Sequence, residues 1–401
     1  MSRAERPPVE NWASDYDIFD PDYVRDPAPI WDELRSKCPI AHSDRWGGSW
    51  LPTKYEDLQA FVRMVPALSS TDPLVVPPVE EAAAAPPITS DPPEQIPMRR
   101  LILPFFNPRA IALHRPYTEE LCNSLIDGFI ENGKCDAAAD YAQQIPPRVI
   151  AHILGIDPNR AHDFVEWVRG VLEIGLSNPE VRIKYRDIIR SFFGELVAER
   201  RKQPGEDLIS KLIASEINGD PLDDFTVIGM CNLLLVAGID TTWSSIGSAM
   251  WHLSTHPEDR QRLARESELF PTAIEELLRF YSPVTMARKV TEAVHVRDVT
   301  FQPGDKVLLN FPAANRDPEV FEHAGEVVLD RERNRHIAFG VGIHRCAGSN
   351  LARMEMDVAL RTWMARIPEF ELSDPEAVTW AGGQVRGPRS VPVTFTAARS
   401  R

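Results

Sequence analysis

The chain has 401 residues, of which 43% are hydrophobic, and a net charge of −15. This length suits one large globular domain or two ordinary ones, and the acidity argues against a nucleic-acid partner. The five cysteines are widely spaced and form no CxxC pair, which excludes a disulfide framework and a zinc ribbon. A reducing compartment is therefore indicated, and we expect a soluble cytoplasmic protein.

The N-terminal residues carry no recognisable targeting signal. Residues 1–11 are polar and proline-containing, and they lack the apolar stretch of a secretion signal. The longest apolar helical run, residues 228–237, is too short to span a bilayer. We predict an extended lead-in over residues 1–19, one domain over residues 20–401, and no membrane association.

Helical patterns dominate the chain, and strand patterns are short. The first predicted elements are a helix over 27–37, a hairpin of 40–45 with 49–53, and a helix over 54–64. A long proline-rich loop follows over residues 66–97. The remaining helices are predicted at 98–106, 115–132, 146–155, 159–176, 179–202, 206–216, 223–255, 257–269, 271–281 and 347–366. The remaining strands are predicted at 287–293, 296–301, 306–310 and 391–396, without any alternation of strand and helix.

The predicted helix over residues 223–255 is the longest in the chain. It would be ~50 Å long, and its apolar middle indicates a path through the core. Gly238, Asp240, Thr241 and Thr242 interrupt that middle: glycine costs ~1 kcal/mol relative to alanine, and a buried carboxylate needs partners. We predict a local opening of this helix that accommodates a small ligand. The alternative is a packing glycine beside solvated polar neighbours.

Cys346 lies where a glycine-rich loop enters the last predicted helix. Backbone N–H groups and the helix dipole at such a position favour the thiolate, so we expect a lowered pKa for this thiol. A thiolate of this kind can act as a nucleophile, a redox sensor or an axial metal ligand. The residues around Cys346 do not by themselves choose among these roles.

Three motifs together point to one family. The loop fits F-x-x-G-x-[HR]-x-C-x-G with Phe339, Gly342, His344, Cys346 and Gly348. The central helix fits A-G-x-[DE]-T-T, and the following helix carries the E-x-x-R pair Glu276 and Arg279. In these motifs and their order, nearly the whole chain resembles the cytochrome P450 family of haem-thiolate monooxygenases.

The resemblance implies a fold and a cofactor. It implies a mainly α fold: a single large, triangular, helix-rich domain with a long central helix and a few small antiparallel β-sheets. Cys346 would be the axial ligand of haem b, and Glu276 and Arg279 would form a buried structural ion pair with Arg331. The implied propionate anchors and ring contacts are Arg99, Arg288, His336, Gln95, Phe339, Gly340, Gly348 and Gly238.

The resemblance also implies a reaction. Asp240 and Thr241 would deliver protons during O2 activation, leading to hydroxylation or oxidative dealkylation of a small, mostly apolar or aromatic substrate. The implied pocket walls are Val75, Val76, Leu172, Leu234, Ala237, Val284, Met286 and Val385. Most of these side chains are aliphatic, which agrees with an apolar substrate.

Electrons are expected from a separate donor, because the chain shows no flavin- or iron–sulfur-binding segment. The resemblance implies a ferredoxin with a flavoprotein reductase, and we expect a monomer. The candidate docking residues on the cysteine side are Arg99, Arg100, Arg109, Arg333, Arg335 and Arg345.

Three other functions stay open at this point. A cysteine-nucleophile hydrolase would need histidine and Asn/Asp partners, of which only His344 is near. A haem-thiolate sensor or carrier without turnover would share the cysteine loop but need not retain Asp240 and Thr241. A peroxide-driven hydroxylase would typically lack that acid–alcohol pair.

Overall fold

The computed structural model describes residues 6–79 and 84–399. Its first helices are α1 (Trp12–Asp15), α2 (Pro21–Arg25), α3 (Ala28–Lys37), α4 (Tyr55–Phe61), α5 (Gln95–Ile102), α6 (Pro108–Ala112), α7 (Arg115–Asp127) and α8 (Ile145–Leu154). The later helices are α9 (Ala161–Leu172), α10 (Ile174–Ser177), α11 (Pro179–Lys202), α12 (Leu208–Ile213), α13 (Asp224–Thr255), α14 (Pro257–Arg265), α15 (Phe270–Phe280), α16 (Phe311–Ala314) and α17 (Ser349–Arg366).

The strands are short. They are β1 (Ile40–Ser43), β2 (Ser49–Pro52), β3 (Leu68–Ser69), β4 (Lys134–Asp136), β5 (Glu216–Ile217), β6 (Asp220–Pro221), β7 (Met286–Val290), β8 (Val294–Val296), β9 (Val299–Phe301), β10 (Lys306–Leu309), β11 (Phe370–Leu372), β12 (Thr379–Ala381), β13 (Gly387–Ser390) and β14 (Pro392–Phe395). The mainly α fold with several small sheets is confirmed.

One five-stranded sheet has the order β1-β2-β10-β7-β3, and a three-stranded sheet has the order β11-β14-β4. The remaining strands form the pairs β12-β13, β5-β6 and β8-β9. Every pairing is antiparallel except that of β10 with β2, which meet in parallel at Val307 and Trp50. The antiparallel prediction therefore holds apart from this one contact.

The predicted lead-in is not simply extended. Asn11 accepts a hydrogen bond from the amide of Ala13 and so caps α1 within the lead-in, and Asp20 caps α2 in the same way at the start of the predicted domain. Both helices are too short to show a helical repeat in the sequence. Residues 1–5 and 80–83, which include part of the predicted proline-rich loop, lie outside the described residues.

Helix α13 is continuous from Asp224 to Thr255, with Asp223 capping its first turn. The predicted opening at Gly238 is therefore absent. The Thr241 hydroxyl donates to the carbonyl of Ala237 at 2.8 Å, which satisfies its polar group without breaking the helix. By length and composition α13 could cross a membrane, but half of its apolar stretch is buried inside the protein. We therefore describe it as a core helix.

Helix α13 packs against α8, α9, α11 and α17, and its buried residues belong to the largest hydrophobic cluster of the described chain. The predicted ion pair lies beside this core. Glu276 accepts hydrogen bonds from Arg279 at 2.7 and 2.8 Å and from Arg331 at 2.9 Å. Arg279 also donates to three backbone carbonyls in the 315–326 segment. These bonds fix the segment that leads into the cysteine loop.

Candidate active site

A cavity lies between α13 and the loop that precedes α17. One wall is α13, which contributes Leu234, Ala237, Gly238 and Thr241. The opposite wall is the loop from Phe339 to Gly348, which contains Cys346. The predicted alcohol and the predicted thiol thus face the same space from two elements that are about a hundred residues apart in the chain.

The cysteine loop is held by its own backbone. The Cys346 amide donates to the carbonyl of Phe339 at 2.8 Å. Gly340 and Gly342 have φ values of 64° and 74°, in the left-handed region that glycine tolerates best. A Cβ on Gly342 would meet the carbonyl of Val62 at 3.3 Å, so the turn also brings this loop close to the chain after α4.

The expected lowering of the Cys346 pKa is not found. Loss of hydration beside the cavity raises the pKa of this thiol, and the Gly348 amide and the nearby Arg99 and Arg345 offset the effect only in part, although Cys346 is itself accessible from the cavity. Helix α17 begins at Ser349, so Cys346 precedes the helix instead of occupying its first turn. The helix dipole therefore acts on this thiol from a greater distance than a position in the first turn would give.

Two arginines face the cavity, and neither forms a salt bridge with a described residue, although the charge of Asp91 acts on Arg288. Arg288 is buried and donates only to its own strand, at the carbonyl of Ala287. Burial lowers its pKa to about 10. Arg99 donates to the carbonyl of Arg345 in the cysteine loop. Two unpaired cations beside one thiol fit an anionic cofactor with two carboxylates, because a buried charge is costly until it is paired.

The structure places His336 away from this cavity. Its Nε2 lies 2.9 Å from a carboxylate oxygen of Glu275, and its Nδ1 accepts from the Ala338 amide at 3.2 Å. Both ring nitrogens are therefore engaged, and the predicted propionate contact of His336 does not fit. His344 lines the cavity instead, and its Nε2 is 2.6 Å from the Ser70 hydroxyl. Burial and the charge of Arg288 lower the pKa of His344 to about 4.

His344 belongs to the cysteine motif and lies two residues before Cys346. This closeness in sequence is the signal from which its place in the cavity could be predicted. Gln95 is buried on α5 and donates to the carbonyl of Ile343 at 2.9 Å. Its side chain thus holds the cysteine loop and does not line the cavity.

Asp240 lies behind the cavity wall. Its Oδ1 accepts from Arg389 at 2.7 Å and from the Ser244 hydroxyl at 3.3 Å, while its Oδ2 is buried without a partner. Burial raises the pKa of Asp240, and Arg389 opposes that shift. Arg389 also donates to Glu173, at 2.8 Å, so it joins α13 to the end of α9. No sequence pattern indicates this pairing, because Arg389 lies in strand β13, 149 residues after Asp240.

The predicted substrate residues divide into two groups. Leu234, Ala237, Val284 and Met286 line the cavity, together with Pro87, Ile88 and Leu233. Val75, Val76, Leu172 and Val385 are buried and do not line it, although Val385 pairs with the cavity residue Val284. Lys306 accounts for the burial of Val75 and Val76. Its ammonium group donates to the carbonyls of Leu74 and Val76 at 2.9 and 2.7 Å and holds that loop against the core.

The comparison with known proteins decides the family. The sequence matches the family model described as Cytochrome P450 over residues 163–378. The chain belongs to the cytochrome P450 family. This P450 is 34% identical over 360 residues to the mycinamicin IV hydroxylase/epoxidase of Micromonospora griseorubida, a match that covers 86% of this chain and 89% of that protein. It is 36% identical over 358 residues to the nocardicin C N-oxygenase of Nocardia uniformis subsp. tsuyamanensis, with the same two coverages of 86% and 89%.

The solved structure of the P450 PksS of Bacillus subtilis has the same fold, with a TM-score of 0.87 and 29% identity over 95% of this chain and 100% of that one. The protein is thus a P450 monooxygenase with a haem-thiolate cofactor, and such enzymes use an organic substrate, O2 and redox partners. The unpaired Arg99 and Arg288 agree with that cofactor. Family membership excludes the cysteine-nucleophile hydrolase.

Proposed function

We propose that this P450 hydroxylates or oxidatively dealkylates an uncharged, mostly apolar organic substrate, using haem b held by Cys346. The observation that carries the proposal is the convergence of Cys346, Arg99, Arg288 and Thr241 on one cavity. The thiol and the two arginines match the iron and the propionates of haem b, and the alcohol faces them from α13. When bound, haem supplies the O2 activation that the side chains cannot perform.

The protein residues then have distinct tasks. Arg99, Arg288 and His344 would hold the two propionates of haem, and Gly238 adds no side chain to the α13 wall of the cavity. Thr241 lines the cavity, and its hydroxyl would turn from the Ala237 carbonyl to pass a proton into the cavity. Asp240, one residue earlier and buried, resupplies that proton from behind the wall. The presence of this acid–alcohol pair favours O2-dependent turnover over a peroxide-driven hydroxylase or a haem sensor.

The substrate class is inferred from the cavity wall opposite the cysteine loop, which includes Leu233, Leu234, Ala237, Pro87 and Ile88. That wall is formed by aliphatic residues and proline, and the only polar side chains that α13 adds are Thr241, Thr242 and Ser245. Such a surface favours an apolar molecule without a free carboxylate or amine. One relative is named for mycinamicin IV, and PksS is named for polyketide biosynthesis. We therefore include polyketides among the candidate substrates, beside compact aromatic molecules. Titration with a macrolide, a terpenoid, a fatty acid and an aromatic acid, monitored by the spin-state change of the haem band, will rank them.

The electron donor is proposed to be a ferredoxin reduced by a flavoprotein reductase in the cytoplasm. Arg100, Arg109 and Arg345 are exposed, and Arg345 lies in the cysteine loop two residues after the exposed Ile343. Arg100→Glu should slow reduction by ferredoxin without changing substrate affinity. Arg25→Glu, on the exposed surface of α2, is the matched control. Equal reduction rates for the two variants would reject this docking surface.

The central test is spectroscopic. Reduced wild-type protein with carbon monoxide should show the red-shifted band of thiolate ligation, and Cys346→Ser should lose that band while keeping its far-UV circular dichroism. Colourless wild-type protein would reject the proposal. Turnover with peroxide but not with NAD(P)H, reductase and ferredoxin would favour the peroxide-driven alternative, and binding without any turnover would favour the sensor.

A further inference from the structure

A second ion cluster lies one residue before the buried Glu276. Glu275 on α15 accepts two hydrogen bonds from Arg353 on α17, at 2.5 and 2.7 Å. His336 of the loop before Phe339 adds a third contact to the same carboxylate at 2.9 Å. The side chains of Glu275 and Arg353 are 29% and 30% exposed, so solvent screens this pair only in part.

The cluster holds the residue that begins the cysteine loop. The Arg353 guanidinium lies over the ring of Phe339, with its central carbon 4.5 Å from the ring centroid. The His336 ring is 6.0 Å from the same ring, centroid to centroid, and its Nδ1 accepts from the Ala338 amide. Phe339 in turn accepts the hydrogen bond of the Cys346 amide at 2.8 Å. One continuous set of contacts therefore joins Glu275 to the backbone of Cys346.

The cluster also places a positive charge near the cysteine loop. The Arg353 guanidinium lies over Phe339, whose carbonyl accepts the hydrogen bond of the Cys346 amide. Glu275 neutralises that cation through its two hydrogen bonds. Burial alone would raise the pKa of Glu275, but the hydrogen bonds of Arg353 and His336 bring it down to about 2. The carboxylate is therefore ionised at every physiological pH, and the pair is close to electrically balanced.

We propose that Glu275, Arg353 and His336 form a charge-balanced clamp that positions Phe339 and sets the electrostatic potential at the Cys346 sulfur. This inference rests on the proposed ligation of haem by Cys346. The three residues are positioning residues, because they act through Phe339 and through their field and touch no reacting atom.

The two charges of the clamp should have opposite effects. Glu275→Gln removes the negative charge and leaves Arg353 unbalanced, which favours the thiolate and weakens its electron donation to the iron. The reduction potential should then move to a more positive value. Arg353→Met removes the positive charge, so the potential should move to a more negative value. The double variant should lie near the wild type, because both charges are gone.

The experiment is a spectroelectrochemical titration of the haem-loaded protein and these variants, with the carbon monoxide band measuring the fraction with thiolate ligation. Asp357→Asn is the matched control, since Asp357 is a carboxylate on α17, the helix of Arg353, but pairs with Arg361 at 2.7 Å and Arg115 at 2.6 Å. Arg353→Lys and Glu275→Asp keep the charges and should keep a potential close to that of the wild type. The control should shift the potential less than either single variant.

The outcomes separate this inference from the proposed function. Wild-type protein without a thiolate-type band would reject haem ligation by Cys346 itself. A normal wild type with single variants that shift the potential in the same direction, or no more than Asp357→Asn does, would overturn the clamp. Loss of haem from both Glu275→Gln and Glu275→Asp would show that the cluster serves stability alone, and it would equally overturn the proposal.

Discussion

Asp240 and Arg389 form a buried ion pair at 2.7 Å, although 149 residues separate them in the chain. The pair places the only charged group in the middle of α13 against a strand from the C-terminal part of the fold. Because Arg389 also binds Glu173, the carboxylate behind Thr241 is connected to the end of α9. The proton source proposed for the reaction is thus held by tertiary contacts and not by its own helix.

Arg389→Met should destabilise the protein, because it leaves Asp240 buried without its cation. Breaking one partner of a buried pair costs about 3 kcal/mol or more of unfolding free energy. Adding Asp240→Asn to the same chain should recover part of the loss, since the remaining charge is removed. Urea denaturation at equal haem loading measures both effects. Strictly additive losses in the double variant would show that the two side chains are not coupled.

Gly238→Ala should be tolerated by the fold. A Cβ at this position would meet only Ile150, at an ordinary distance of 3.7 Å, and alanine stabilises a helix by about 1 kcal/mol relative to glycine. The thermal midpoint should therefore stay level or rise. The added methyl lies at the cavity wall, so spectral titration should show weaker binding of bulky apolar ligands.

Gly247→Ala is the control for that variant, because it lies on the same helix. Its Cβ would meet Pro388 at 3.1 Å, which forces the neighbouring strand to move. We expect a lower thermal midpoint and little direct effect on ligand binding. A midpoint that falls equally in both glycine variants would contradict the open space beside Gly238.

His344→Ala should weaken haem retention about tenfold, which corresponds to the loss of one hydrogen bond to a charged group. His336→Ala should retain haem nearly as well as the wild type, because both of its ring nitrogens contact the protein and not the cavity. The transfer of haem to excess apomyoglobin gives both rates. Faster loss from His336→Ala than from His344→Ala would restore the assignment made from the sequence.

Glu275 should make stability depend on acid pH. Its pKa falls from 4.5 to about 2 on folding, so the unfolded chain takes up the proton first. The stabilisation is complete above pH 4.5 and is lost as the pH falls towards about 2. It is on the order of 3 kcal/mol at neutral pH, reduced by the partial exposure of the pair.

The measurement is the difference in unfolding free energy between wild type and Glu275→Gln over this pH range. The difference should shrink as the pH falls below 4.5. Glu33→Gln, in an exposed pair with Lys37, is the control and should show almost no difference at any pH. If the difference in unfolding free energy stays constant from pH 6 to pH 3, then Arg353 and His336 do not stabilise the ionised form of Glu275.

The sequence by itself determined the helical class, the bounds of long elements such as α11 and α13, and the motifs around Cys346 and Asp240. These features are local, because a helical repeat, a helix cap or a glycine turn depends only on residues that are close together in the sequence. The pairing of Glu276 with Arg331 followed from the resemblance, and the structure brings those residues together.

Only the tertiary structure decided which side chains share the cavity. It directs His336 to Glu275 and His344 to the cavity, because α15 and α17 approach the cysteine loop from one side. It draws Val75 and Val76 into the core through Lys306, and it keeps α13 unbroken at Gly238 because the Thr241 hydroxyl has a carbonyl partner within the helix. Side-chain direction and the electrostatic field at the Cys346 thiol depend on neighbours that are distant in the chain, so a local sequence pattern cannot predict them.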